Sequence, residues 1–107
     1  MIRSNKTVSL LALILVMSGA IAASEAQAAD PRNGAKLYNM HCSSCHGPKG
    51  KGAMPGMPDF TRGPSLAIAD DAIVRVLESG KGVMPSFRGL LTTQDMLDVI
   101  SHLRTFQ

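Results

Sequence analysis

A chain of 107 residues with a formal net charge of +3 is sized for one domain. The charge is weak, and no basic run with interleaved aromatics occurs, which argues against a nucleic-acid binder. Two cysteines, no Trp and 4% aromatic residues leave neither a disulfide scaffold nor a large aromatic core.

The first element is not part of that domain. Arg3 and Lys6 precede an uncharged, mostly apolar run from Val8 to Ala23, and Ala26-Gln27-Ala28 forms a small-x-small site. This pattern predicts a secretory signal peptide over residues 1–28. The competing reading is a retained anchor, but the run falls short of the roughly 20 residues that span a bilayer comfortably. The remaining domain, 29–107, would hold 79 residues with nine Lys and Arg against seven Asp and Glu. Its mild positive charge suits docking to an acidic protein surface.

Three helices are predicted in that domain. The first starts at Asp30-Pro31, an N-cap followed by Pro at the first helical position, and should run to about His46, before Gly47-Pro48. Ala35, Tyr38 and Cys42 would share its apolar face. The Gly/Pro-rich stretch 47–64 reads as structured loop. The second helix is "DDAIVRVLES", with Asp70 as expected N-cap and Gly80 as its stop. A second loop, "GKGVMPSFRG", leads to a third helix introduced by Thr92 and Asp95 in capping-box spacing. Met96, Val99, Ile100, Leu103 and Phe106 form its apolar stripe. No stretch alternates with period two, so the class is all-α.

The chemistry concentrates in "CSSCH", residues 42–46. On a helix, Cys42 and Cys45 lie about one turn apart, and His46 joins the face of Cys42. Two thiols so placed can anchor adjacent edge substituents of a flat macrocycle, with an imidazole reaching its metal; C-x-x-C-H is the signal for c-type haem attachment. Three alternatives compete. A redox dithiol wants a βαβ setting. Structural zinc wants four ligands, and His41 and His102 do not form a second ligand pair. A plain disulfide between Cys42 and Cys45 closes too short a loop to stabilise much.

Around that motif stand "NGAKLYNMHCSSCHGPKGKG", "MPDF", "GKGVMPSF" and "LTTQDMLDVISHLRTF". In this order they resemble a small bacterial class I cytochrome c over nearly the whole of 29–107. The resemblance implies three main helices and Gly/Pro-rich loops wrapped around one covalently bound haem c. Cys42 and Cys45 would form thioethers and His46 would be one axial iron ligand. It also implies that Gly34 and Tyr38 cross Val99 and His102, and that the backbone carbonyl of Pro58 accepts from His46. His102 departs from the family's usual aromatic residue and is expected as a partly buried, neutral helix contact. Arg62, Lys81 and Arg88 are candidate propionate partners.

The other axial position has several candidates. Met40 and Met96 fall in predicted helices and read as core filler. Met54 and Met57 follow His46 by only eight and eleven residues, in chain that must cover the histidine's side. Met84 follows by 38 residues, after a full helix, in a loop between Gly82 and Pro85. It is the expected second ligand, and the family's distal methionine occupies the same kind of loop. A thioether opposite the imidazole favours the ferrous state and closes the iron to substrates. The expected function is single-electron transfer between redox proteins in the bacterial periplasm, not enzymic turnover. Lys49, Lys51, Lys81 and Arg88 would rim the docking face, with membrane contact only through the signal segment. The alternative is a haem-based ligand binder or sensor with a labile sixth ligand; peroxidase chemistry is weaker, since no distal acid–base residue stands out.

Overall fold

The computed structural model describes residues 27–107. The predicted signal segment lies almost wholly outside them. The elements are α1 (Pro31–His41), α2 (Ser43–His46), a 3-10 turn (Gly63–Leu66), α3 (Asp70–Ser79), α4 (Thr93–Leu103) and a terminal 3-10 turn (Arg104–Phe106). Among the described residues the only β pairing is two isolated bridges, so the all-α expectation holds.

Local signals account for most boundaries. The Asp30 carboxylate caps α1 by accepting from the Arg32 N–H, with Pro31 at the first position. Thr92 and Asp95 form the reciprocal capping box of α4. Gly80 ends α3 at φ +74°. A side chain there would meet the Met84 carbonyl at 2.7 Å. Glycine therefore lets the chain reverse tightly toward Met84.

Three expectations are corrected. The single helix through His46 is broken at Cys42, whose φ −123° and ψ −35° are not helical, and resumes as α2. Ala69, not Asp70, caps α3, and it supplies no side-chain bond. The Asp70 carboxylate instead accepts from the Arg104 guanidinium. Met40 is 66% exposed, so it is not core filler.

The crossing of α1 and α4 organises the domain. Gly34 and Tyr38 are the buried residues of α1; Met96, Val99, Ile100 and Leu103 are buried on α4. A Cβ on Gly34 would lie 1.9 Å from the Asp98 carbonyl oxygen, so the two backbones touch there. His102 is half-buried with its ring centroid 5.4 Å from that of Tyr38 and 4.9 Å from that of Phe106. Burial lowers its pKa and favours the neutral form.

Asp98 was not anticipated as a core residue. It is buried, and its carboxylate accepts from the Asp30 N–H at 2.8 Å, the Asn33 amide at 2.8 Å and the Gln94 amide at 2.9 Å. Burial pushes its pKa up, but these bonds outweigh that and hold it below the usual carboxylate range. The start of α1 is thereby tied to α4.

Candidate functional site

A cleft of about 690 Å³ opens between α1–α2, the loop after His46, α3 and the loop that carries Met84. Cys42, Cys45, His46, Met57, Pro58 and Met84 all line it. Its walls are otherwise mostly apolar, including Leu66, Ile73, Leu77, Phe87, Val99 and Leu103. The structure thus brings Cys42, Cys45, His46, Pro58 and Met84 to one cavity, although the helix expected to align the first three is interrupted.

The break at Cys42 has its own geometry. The Cys42 N–H still donates to the Tyr38 carbonyl, closing α1, and the His46 N–H donates to the Cys42 carbonyl, opening a new turn. Both thiols are free, Cys42 half-buried and Cys45 exposed. Burial, with the neighbouring Cys45, pushes the Cys42 pKa up to about 11, so it is a protonated thiol at neutral pH.

His46 is held from three sides. Its carbonyl accepts from the Gly52 N–H at 2.7 Å, and its ring stacks on Phe60 with centroids 4.9 Å apart. The carbonyl of the next residue, Gly47, accepts from the Tyr38 hydroxyl at 2.6 Å. Burial lowers the pKa of His46 and keeps the imidazole neutral, the form that ligates metal. Its Nδ1 is buried with no hydrogen-bond partner. Pro58 is nearby in the cleft wall, but the expected bond to its carbonyl is not formed here.

Met57 and Met84 occupy different sides of the chain path. Met57 packs tightly on Gly52, the residue whose N–H is bound to His46. It therefore belongs to the histidine's own loop. Met84 is held by a turn with paired 3.0 Å bonds between Lys81 and Met84, after α3. The chain beyond it is pinned by the Phe87 N–H to the Leu77 carbonyl at 2.8 Å and by a bond from the Ser86 hydroxyl to the Glu78 carbonyl. Met54 is 50% exposed and does not line the cleft.

The donor set can be tested against its possible occupants. Among the described residues no three His, Cys, Asp or Glu side chains converge on a metal position, so zinc lacks its ligands. Among the described residues the βαβ setting of a thioredoxin-like dithiol is missing as well. An apolar slot with two thiols at its edge, one neutral imidazole and one thioether fits haem. The buried Nδ1 of His46, without a partner, is a polar atom that a bound group or a nearby acceptor would have to satisfy.

Comparison with known proteins decides the family. The profile described as cytochrome C oxidase, cbb3-type, subunit III, matches residues 29–103. The chain belongs to the class I c-type cytochromes. It is 30% identical over 102 residues to cytochrome c6 of Nostoc sp., spanning 92% of this chain and 91% of that protein. It is 32% identical over 102 residues to cytochrome c6 of Gloeothece citriformis, with 92% of each covered. Cytochrome c6 of Pyropia yezoensis is 35% identical over 81 residues, 71% of each. The cofactor of this cytochrome is covalently bound haem c, and its role is that of a mono-haem electron carrier rather than an enzyme.

The sequence reading missed two residues of this site. His41 was set aside as a metal ligand and given no other role, yet it is half-buried in the cleft wall, with its ring centroid 6.2 Å from that of Phe87. Ile68 was not singled out, yet it lines the cleft while 52% exposed. Neither carries a local signal, because each is placed by chain packed against it from elsewhere. Of Arg62, Lys81 and Arg88, only Lys81 lines the cleft. Arg62 pairs with Asp59 at 3.3 Å and Arg88 with Glu78 at 3.8 Å.

Proposed function

We propose that this cytochrome carries single electrons between periplasmic redox proteins, with Cys42 and Cys45 as thioether anchors and His46 and Met84 as axial iron ligands. The observation that carries the reading is the placement of His46 and Met84 on separately braced loops of one apolar cleft. Bound haem supplies an iron that takes up and releases one electron. The chain's own residues do the rest. His46 is kept neutral by burial, Met84 is fixed by the Lys81 turn, and the apolar walls exclude water. Rigid ligands limit the rearrangement that accompanies a change of iron charge.

The signal-peptide pattern of residues 1–28 supports export to the periplasm. Among the described residues no helix is long and apolar enough to cross a membrane. Cys45 is exposed at the cleft, so the haem edge beside it is the natural exit for the electron. Lys49, Lys51, Lys81 and Arg88 are all exposed and would steer an acidic partner; Lys81 contributes most because it alone of the four lines the cleft. Association with an acidic redox partner should slow as ionic strength rises. Rates independent of salt would contradict steering.

Carbon monoxide separates the carrier from a ligand sensor. The reduced native protein at neutral pH should not bind it rapidly, because Met84 would already ligate the iron. Rapid binding would replace the carrier reading with the sensor reading.

A further inference from the structure

Arg104 follows α4 and does not itself line the cleft, yet it is the most heavily bonded side chain in the domain. Its Nε and Nη2 donate to one Asp70 carboxylate oxygen at 3.0 and 2.5 Å. Its Nη1 donates to the Leu66 carbonyl at 3.0 Å, and Nη2 also donates to the Ile68 carbonyl at 2.9 Å. All the acceptors fall within residues 66–70, the link between the 3-10 turn and α3.

Between the 3-10 turn and the Ala69 cap, that link has few backbone bonds of its own. The local bond from the Ala67 N–H to the Pro64 carbonyl is long, at 3.4 Å. The Gln107 amide adds two contacts just upstream, to the Arg62 and Gly63 carbonyls, at 3.4 and 3.5 Å. Both residues whose carbonyls Arg104 holds present their side chains to the cleft: Leu66 is 4% exposed and Ile68 is 52% exposed. Fixing two carbonyls separated by one residue fixes the direction of the side chains between and beside them.

We propose that Arg104 is a positioning residue for the haem wall. Its planar fork clamps the 66–70 link so that Ile68, beside the already buried Leu66, covers the mouth of the cleft and limits the water that reaches the bound haem. The proposal rests on haem occupying this cleft. A drier pocket disfavours the more highly charged ferric state, so the clamp raises the reduction potential. A lysine keeps the positive charge but not the fork, and cannot serve the two carbonyls and the carboxylate together.

The test uses exported holoprotein of four forms: wild type, Arg104→Lys, Ile68→Ala and the double variant. Potentials are read together with amide exchange along the chain. Arg104→Lys should lower the potential and speed exchange in residues 67–69 by about tenfold, the effect of losing one or two net hydrogen bonds. Exchange in α1 should stay as in wild type. The double variant should shift the potential no further than the larger single change, because Arg104 acts through Ile68. Unchanged potential in Arg104→Lys, or shifts that add, would overturn the clamp. Wild type that carries no haem would overturn the carrier reading instead, so the two failures are distinct.

Discussion

The Cys42→Ala/Cys45→Ala double variant, exported and freed of haem, is expected to lose most of its helical circular dichroism. The described residues bury eleven hydrophobic side chains, and several of these also form the walls of the haem cleft. Without haem those walls face water across a cavity of about 690 Å³. Covering a few hundred Å² of macrocycle, at ~25 cal/mol per Å², contributes on the order of 10 kcal/mol. A whole domain is commonly stable by only about 5–15 kcal/mol. The haem term is therefore as large as the net stability, and no disulfide replaces it. The loops suffer most, since the bonds that shape them gather beside His46 and Met84 at the cleft. Native helicity in the haem-free variant would show that the α1–α4 crossing suffices by itself.

Gly34→Ala is expected to destabilise the holoprotein by about 3 kcal/mol or more, which is roughly 15 °C in Tm for a domain of this size. Two effects oppose each other. Alanine improves helix propensity by about 1 kcal/mol. Its Cβ, however, would stand 1.9 Å from the Asp98 carbonyl oxygen and 2.5 Å from the carbonyl carbon. These are backbone atoms of α4, so no side-chain rotation relieves the clash. The helices must move apart, loosening Tyr38 against His102 and stretching the Asp30 and Asn33 bonds to Asp98. The steric cost exceeds the propensity gain. A melting temperature within about 3 °C of wild type would mean that α1 can slide without loss, and that the crossing is less constrained than its contacts indicate.

What was legible in the sequence was what neighbouring residues decide. Asp30-Pro31 marked the start of α1, Thr92 with Asp95 marked α4, and Gly80 marked the end of α3. Each signal works within a few residues of the backbone groups it satisfies. The apolar stripe of α4 was equally plain, since Met96, Val99, Ile100 and Leu103 repeat with the helical period. Of the cleft, Cys42, Cys45 and His46 were nameable because the chain has only two cysteines and their spacing is restrictive, and Met84 because it alone of the methionines lies in a Gly/Pro loop separated from His46 by a full helix.

What was hidden depended on partners far away in sequence. Asp70 looked like an N-cap, but Arg104, 34 residues on, claims its carboxylate. Asp98 carried no signal in the sequence; its burial follows from donors on Asp30 and Asn33, more than 60 residues earlier. Met40 looked like filler by residue type, yet the chain around α1 leaves its face open. The break at Cys42 has no Gly or Pro to announce it. There the backbone departs from the helix beside the first thiol of the motif, where the chain turns to bring Cys45 and His46 to the same cleft.

The central claim is the proposal that Met84 would supply the second ligand of the haem iron, with His46 as the first. The most direct measurement is the absorption spectrum of oxidised holoprotein in the region of the weak sulfur-to-iron band, for wild type, Met84→Ala and Met57→Ala. The band should be present in wild type and in Met57→Ala and absent from Met84→Ala. A band that survives in Met84→Ala, or disappears in Met57→Ala, would contradict the account.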